Sequence, residues 1–311
     1  MAHLKVLPKR MHAADFEVAW QEKLTPFVKN KIKKFRLIYR ELSATERDQY
    51  VRTVVDFLLK RFVVYAGKHR YEQWERGWGE NLVLFRKTKK IGAILPKYFK
   101  NPINRFCQRP ILALYKNFEV DMLAILEYWL FEKYLKDFPV VYEFGCGTGH
   151  NLLRLRELNQ NAQLYGLDWA HSSQKIISGM SKILKDKNLH AHHFDFFNPD
   201  KNFKLDKNGA IFTMASLEQT GNKYKKFVDY ILKNRPALCV HIEPTGETLD
   251  PNNLLDYLSI KYFEKRKYLN GYIGYLRKLE SEKRIKIINV QRSFIGSFYI
   301  DGYSVIVWKP L

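Results

Sequence analysis

The strongest constraint on the fold of this chain is an apolar run that ends in three closely spaced glycines. Residues 140–144 read Val-Val-Tyr-Glu-Phe, and residues 145–150 continue Gly-Cys-Gly-Thr-Gly-His. A short apolar run bounded by glycine predicts a buried strand. Glycine has no Cβ, so the turn after this strand can be tight and can approach a ligand closely. A strand, a glycine-rich turn and a helix in this order predict a ligand-binding loop at the edge of a parallel sheet.

Beyond the loop, short apolar runs alternate with helical segments. This alternation predicts a parallel sheet with helices on both faces, and two β-rich runs at the end of the chain predict an antiparallel hairpin. The long helical segment 254–282 contains Gly271 and Gly274, where it can bend or break. The predicted strands are 140–144, 162–167, 190–194, 209–215, 237–242, 284–294 and 303–308, and the shorter helices are 150–159, 171–187 and 223–233.

Residues 1–138 have a different pattern. Helical periodicity is clear at 46–62 and 118–135, and no strand periodicity stands out. Between these helices lies an aromatic stretch that contains Trp74 and Trp78. These rings can line a pocket, and core packing is the alternative for each of them; the other candidates are Trp169, Tyr257, Tyr262, Tyr268, Tyr272 and Tyr275. We therefore divide the chain into a mainly helical, basic substrate or cap region at residues 1–138 and an α/β domain at residues 139–311.

The formal net charge of +21 is the main signal in the composition. Basic residues cluster at 29–40 and 86–90, and such clusters attract polyanions such as nucleic acid, anionic glycans or phosphate-bearing substrates. Ordinary solvated helix faces would produce the same pattern, so the charge alone leaves both interpretations open.

The composition also bears on compartment and metal content. Acidic residues interrupt the most apolar stretch, residues 120–135, which is too short and too charged to span a bilayer. The three cysteines are scattered and form neither a disulfide framework nor a zinc-binding spacing. We therefore expect a cytoplasmic protein without a bound metal.

Two carboxylates at predicted strand ends strengthen the binding-loop hypothesis. Asp168 follows the second strand about 20 residues after Gly149, where a carboxylate can accept both hydroxyls of a ribose. Asp195 follows the third strand between two phenylalanines, and a carboxylate beside aromatic rings suits an adenine. The nicotinamide fingerprint Gly-x-Gly-x-x-Gly is not met, because its last position is His150.

Residues 139–311 resemble the class I S-adenosylmethionine-dependent methyltransferases. The features that carry the resemblance are the acidic residue before the loop, the three glycines, the two later aspartates and the order of elements. The resemblance implies a seven-stranded Rossmann-like sheet, mostly parallel, with an antiparallel strand in a C-terminal hairpin. It also implies S-adenosylmethionine (SAM) as cofactor and S-adenosylhomocysteine (SAH) as product.

The resemblance assigns cofactor roles to particular residues. The glutamate and the glycine loop hold the methionine end, and the residues at the end of the fourth strand line the wall near the sulfonium. One aspartate binds the ribose and the other the adenine amino group, each beside an aromatic ring. The implied cofactor residues are Glu143, Gly145, Gly147, Gly149, Asp168, Trp169, Asp195, Phe196, Met214 and Ser216.

Candidate catalytic residues lie at the ends of the fourth and fifth strands. His241 and Glu243 alternate along one strand and share a face, so they can form a base and its orienting partner. Glu218, in the turn Leu217-Glu218-Gln219, is the third candidate. The alternative is that His241 is a buried histidine with satisfied hydrogen bonds and Glu243 a hydrogen-bonding strut.

The first functional hypothesis is methyl transfer to an oxygen or nitrogen of a small or medium polar acceptor, such as a sugar-containing molecule. The second is an RNA or DNA methyltransferase whose basic N-terminal runs grip phosphates. The third is a non-catalytic SAM-binding adaptor. The sequence leaves the acceptor and the oligomeric state open.

Overall fold

The computed structural model describes residues 7–99 and 101–311 and contains two sheets surrounded by helices. Most strands are short, and those of the larger sheet begin at residue 140. In chain order the strands are β1 (Lys9–Arg10), β2 (Ile38–Glu41), β3 (Ile103–Phe106), β4 (Arg109–Ala113), β5 (Val140–Phe144), β6 (Gln163–Asp168), β7 (Leu189–His193), β8 (Ala210–Met214), β9 (Leu238–Glu243), β10 (Ile285–Arg292), β11 (Ile295–Gly296) and β12 (Ser304–Pro310).

The α-helices divide equally between the N-terminal region and the remainder of the chain. They are α1 (Ala13–Trp20), α2 (Pro26–Lys34), α3 (Ala44–Leu59), α4 (Tyr71–Thr88), α5 (Phe118–Tyr134), α6 (His150–Leu158), α7 (His171–Leu184), α8 (Lys225–Asn234), α9 (Leu254–Arg266) and α10 (Tyr272–Ser281).

The larger sheet has seven strands in the order β10-β12-β9-β8-β5-β6-β7. Its five strands from β5 to β9 are parallel, whereas β12 runs antiparallel to both β9 and β10. The strand order reverses between β5 and β8, and ligands of open α/β sheets bind at such a switch point. The seven-stranded Rossmann-like sheet with an antiparallel C-terminal hairpin strand, predicted from the sequence, is therefore confirmed.

The N-terminal region has the expected helices but also strands that the sequence analysis did not predict. Strands β1 to β4 join β11 in a second sheet of order β1-β2-β4-β3-β11. Each has only two to five residues, which is too short for a clear two-residue periodicity. Since β11 comes from the segment between β10 and β12, the final hairpin lends two residues to the N-terminal sheet.

The two parts of the chain share one hydrophobic core. Phe16 and Trp20 of α1 belong to the same buried cluster as Val240 of β9 and Val305 of β12. The indole of Trp20 also donates a hydrogen bond of 2.7 Å to the carbonyl oxygen of Ser293. The N-terminal region is therefore packed onto the larger sheet through apolar contacts as well as through β11.

The long helical segment after β9 breaks as its glycines indicated. Helix α9 ends at Arg266 and is followed by Lys267 with φ 51°, whereas Gly271, with φ 71°, immediately precedes α10. This left-handed conformation costs an L-residue roughly 1–2 kcal/mol and a glycine very little. Gly274 lies inside α10, so the break occurs at Gly271.

Candidate cofactor cleft

A cleft of about 490 Å³, partly open to solvent, lies at the carboxyl ends of β5, β6 and β8. Its lining is mostly aromatic, with one carboxylate. Five of the predicted cofactor residues line it, and two tryptophans of α4 form the opposite wall. The lining residues are Trp74, Trp78, Gly145, Asp168, Trp169, Phe194, Phe196, Phe197, Ala215, Ser216 and Gln219.

The glycine loop forms the floor of this cleft and requires glycine for two reasons. Gly145, Gly147 and Gly149 have φ of 72°, 53° and 75°, a region that L-residues rarely adopt. In addition, a Cβ on Gly145 would lie 2.4 Å from the Cβ of Ser216, and one on Gly147 would lie 2.9 Å from the Trp78 ring. The loop therefore brings bare backbone against the side chains of the cleft.

Asp168 stands at the end of β6, beside the loop. Its Oδ2 accepts a hydrogen bond from the amide of Gly147 at 2.9 Å, and its Oδ1 accepts one from the amide of Ala170 at 2.8 Å. The side chain is 5% exposed, and burial raises the pKa of this carboxyl to about 6. Each carboxylate oxygen can accept further hydrogen bonds, so Asp168 can still take the two hydroxyls of a ribose.

Glu143 is buried directly before the loop and does not line the cleft. Its Oε1 accepts a hydrogen bond from Nδ2 of Asn151 at 2.7 Å, whereas its Oε2 is buried without a partner among the described residues. Burial raises the pKa of this carboxyl well above its usual range. An unpaired buried carboxylate oxygen is unfavourable, and a nearby ammonium group would relieve it.

Aromatic rings form two sides of the cleft. The Trp169 ring meets Tyr71 edge-on at 5.7 Å and lies 6.0 Å from Phe197, while Trp74 and Trp78 stack at 5.4 Å. Flat rings on both sides suit a planar base or a cationic group. The sequence analysis anticipated that these tryptophans could line a pocket, and the structure brings all three to one cleft.

Five of the predicted cofactor residues lie outside the lining: Glu143, Gly147, Gly149, Asp195 and Met214. The Oδ1 of Asp195 accepts a hydrogen bond from the amide of Phe197 at 2.8 Å, and its Oδ2 is 3.9 Å from the ammonium of Lys68. Its neighbours Phe194 and Phe196 line the cleft instead. Met214 ends β8 one residue before the lining begins at Ala215.

Glu243 anchors the turn that follows β8. Its carboxylate is fully buried and accepts hydrogen bonds from the amides of Ser216, Leu217 and Glu218, each at 3.1 Å. The Glu218 carboxyl adjoins that of Glu243 and accepts a bond of 2.9 Å from Nε2 of Gln219. Burial raises the pKa of both carboxyl groups, and proximity disfavours double ionisation. Ionisation of one carboxyl group therefore disfavours ionisation of the other, and Oε2 of Glu218 is buried without a hydrogen-bond partner among the described residues.

His241 does not line the cleft. The ring is fully buried, with Nδ1 2.9 Å from Oγ1 of Thr213 and Nε2 2.9 Å from the hydroxyl of Tyr272. Burial lowers the pKa of this imidazole to about 3, so it is neutral at physiological pH. The structure therefore does not pair His241 with Glu243, and the contacts match the alternative of a buried histidine with satisfied hydrogen bonds.

Sequence reasoning missed two polar residues at the cleft, Arg70 and Gln219. Arg70 is only 5% exposed, donates to Oε1 of Gln219 at 2.6 Å, and lies over the Trp74 ring at 4.9 Å. No local pattern marks one arginine among 53 basic residues as buried.

Two searches of the described residues bear on metal and membrane binding. Within residues 7–99 and 101–311, no three His, Cys, Asp or Glu side chains are grouped so that they could hold a metal ion. Over the same ranges, no helix has the length and apolar character needed to cross a bilayer.

No protein-family model matches the sequence, and no curated protein sequence matches it. Several solved structures are similar in fold. Geranyl diphosphate C-methyltransferase from Streptomyces coelicolor A3(2), in complex with Mg²⁺, geranyl diphosphate and SAH, is 11% identical, with a TM-score of 0.48 over 80% of this chain and 100% of that one. The N-methyltransferase NodS from Bradyrhizobium japonicum WM9, in complex with SAH, is 9% identical, with a TM-score of 0.47 over 77% of this chain and 97% of that one. Human N-acetylserotonin methyltransferase, in complex with SAM, is 14% identical, with a TM-score of 0.45 over 86% of this chain and 67% of that one.

The strand order and the position of the glycine loop define the class of protein independently of these likenesses. Five parallel strands, an antiparallel closing pair and a glycine loop after β5, at the switch point, are the features predicted for residues 139–311. The chain therefore has the Rossmann-like fold of the class I methyltransferases.

Proposed function

We propose that this protein is a SAM-dependent methyltransferase acting on an oxygen or nitrogen of a small or medium polar acceptor. The observation that carries the proposal is the cleft itself, with a bare glycine loop, a buried carboxylate at Asp168 and aromatic walls at the switch point of the sheet. When bound there, SAM supplies a methyl carbon that its sulfonium activates for displacement.

The residues present fit this cofactor. Asp168 accepts the ribose hydroxyls, and the rings of Trp169 and Phe196 face the adenine. Gly145 leaves room beside Ser216, since a Cβ there would overlap that side chain. The unpartnered oxygen of Glu143 suits the ammonium of the methionine end. Gly147 and Gly149 shape the loop, and Asp195 and Met214 complete the predicted set.

The remaining acidic and imidazole groups serve as positioning residues in this proposal. Glu243 fixes the backbone of residues 216–218, and Glu218 holds the amide of Gln219, which lines the cleft. Because burial raises the pKa of both glutamates, an ionised carboxylate of the pair can accept a proton relayed from an acceptor hydroxyl or amine. His241 ties β9 to α10 through Tyr272.

Calorimetric titration with SAM, SAH and NADH tests the assignment. We expect micromolar binding of SAM and SAH and none of NADH. The variant Asp168→Asn should weaken SAM and SAH binding. Its control is Asp206→Asn, because Asp206 is an exposed turn aspartate whose loss leaves the cleft unchanged. Binding of NADH alone would contradict the proposal, whereas SAM binding without methyl transfer to any acceptor class would favour the adaptor hypothesis.

A nucleic-acid acceptor is the second candidate, and a basic groove favours it. The groove lies between α4 and α7, and its lining includes Arg86, Lys89, Lys175 and Lys182. Phosphate contacts make binding strongly salt-dependent, so RNA or DNA affinity should fall steeply between 50 and 200 mM salt. A weak salt dependence would favour the small acceptor.

A further inference from the structure

Two arginines lack the carboxylate partners that shielded arginines usually have: Arg70, which is buried against the cleft lining, and Arg266, which is half-buried. Arg70 precedes α4, is 5% exposed, and donates to two neutral amide oxygens, those of Gln73 at 3.2 Å and Gln219 at 2.6 Å. Arg266 ends α9, and its guanidinium donates to the hydroxyl of Tyr268 at 3.3 Å. Its Nε is buried and has no hydrogen-bond partner among the described residues.

Other buried arginines of the chain pair with carboxylates. Arg105 is 3.6 Å from Asp301, Arg154 pairs with Glu127, and Arg292 donates to Asp256 at 2.6 Å. By contrast, over the part of the chain that the structure describes, neither Arg70 nor Arg266 has a carboxylate within 4.0 Å. Buried charges are normally paired, so this pair of guanidinium groups lacks an anion.

The two arginines lie on segments that contact each other, because the amide of Ala66, four residues before Arg70, donates a hydrogen bond of 2.7 Å to the carbonyl oxygen of Arg266. Arg70 contacts Gln219 and covers the Trp74 ring at 4.9 Å, and both of these residues line the cleft. Arg266 lies 5.3 Å from the ring of Tyr268 and 5.8 Å from that of Tyr262. Burial and then the neighbouring charge of Arg266 lower the pKa of Arg70. Two like charges in a shielded position are unfavourable unless an anion joins them.

The adjacent acidic groups neutralise only part of this charge. The charge of Glu218 acts on Arg70, but the Glu218 carboxyl is buried beside that of Glu243, and their proximity disfavours ionisation of both. A bound anion would supply the negative charge that the two guanidinium groups lack. Guanidinium groups bind carboxylate and phosphate oxygens through two parallel hydrogen bonds, and the unpartnered Nε of Arg266 is one such donor.

We propose that Arg70 and Arg266 form an oxyanion site that holds a carboxylate or phosphate group of the methyl acceptor beside the cofactor cleft. This inference rests on the proposed methyltransferase function and narrows the acceptor to an anionic molecule. The anion is held at the edge formed by Gln219 and Trp74, so the part of the acceptor that receives the methyl group extends into the cleft.

The test uses the full-length protein saturated with SAH and two probes, phenyl phosphate and benzoate, titrated while tryptophan fluorescence is followed. Trp74 stacks under Arg70, so occupancy of the site should change its emission. We expect saturable binding of at least one probe, and the tighter probe identifies the source of the oxyanion. Arg70→Gln and Arg266→Gln should each weaken it at least tenfold, whereas Arg52→Gln, an exposed arginine of α3, should leave it within twofold.

Affinity for SAH and for 5′-methylthioadenosine, which lacks the amino-acid carboxylate, separates the outcomes. The proposal expects both variants to bind both nucleosides normally. Loss of SAH affinity with normal methylthioadenosine binding would mean that the arginines hold the cofactor's own carboxylate, and would overturn it. Binding of neither probe, or equal binding to wild type and variants, would also overturn it.

Two further results keep the inference distinct from the proposed function. Arginine-dependent probe binding in a protein that binds no SAH would refute the methyltransferase assignment and leave the oxyanion site standing. If a glutamine variant unfolds, Arg70→Lys and Arg266→Lys take its place, since they keep the charge but lose the planar fork. They should bind the probe more weakly than wild type, and unchanged binding would overturn the proposal.

Discussion

Asp168→Asn should separate cofactor binding from stability, because the buried carboxylate is unfavourable for the free fold. Burial raises its pKa from 3.8 to about 6, a shift of about two units, or roughly 3 kcal/mol of destabilisation of the ionised form. The asparagine removes this charge but can accept only one of the two amide hydrogen bonds, which costs about 1–3 kcal/mol. The two terms nearly cancel, so the free energy of unfolding should change by less than about 2 kcal/mol.

Cofactor affinity should instead fall sharply in this variant. Exchanging charged for neutral acceptors at the ribose hydroxyls loses about 2–4 kcal/mol, or roughly 30- to 1,000-fold in affinity. In the wild type, SAH affinity should decline as pH falls through about 6, because protonated Asp168 accepts hydroxyl hydrogens poorly. The asparagine variant should lack this pH dependence. Calorimetry at pH 5.5 and 8 with urea unfolding measures both effects, and unchanged SAH affinity at pH 8 would refute the ribose assignment.

Three further predictions follow from buried groups. Gly145→Ala should destabilise the fold by about 1–3 kcal/mol and abolish SAH binding, because φ is 72° and the new Cβ would overlap Ser216. Urea unfolding measures the first effect and calorimetry the second, and normal SAH binding would contradict the role of the loop. The wild-type free energy of unfolding should fall as pH rises through the raised folded pKa of the buried Glu218–Glu243 pair, and Glu218→Gln should reduce that fall; identical slopes in urea titrations of the two proteins would contradict the raised pKa. His241 stays neutral in the folded protein to about pH 3 but is protonated below about pH 6.5 when the chain is unfolded. The free energy of unfolding should therefore decline by up to about 1.4 kcal/mol per pH unit as pH falls between these values. His241→Phe should flatten that decline in urea titrations, and an unchanged slope would contradict the buried neutral state.

The sequence predicted those parts of the fold whose signals are local. The strand and glycine loop at residues 140–149 carry their own pattern of apolar run and φ-permissive residues, and Asp168 follows at a fixed interval. The short strands of the N-terminal sheet lack such a signal, and the pairing of β3 with β11 joins residues nearly 200 positions apart. For the same reason, periodicity placed His241 and Glu243 on one face but could not show that Thr213 and Tyr272 satisfy the histidine.

The cleft also indicates why the acceptor is the hardest property to predict from this fold. In the proposed function, the parallel sheet supplies the loop and Asp168 for the cofactor, whereas Arg70, Trp74 and Trp78 come from outside residues 139–311. Trp78 packs so closely on Gly147 that a Cβ there would lie 2.9 Å from its ring, so α4 packs directly on the glycine loop. A shared sheet can therefore serve many acceptors, because the side chains that select them belong to the region added to it. In this chain that region contributes Arg70, a buried arginine with no carboxylate within 4.0 Å among the described residues, and for this reason an anionic acceptor is the first class to test.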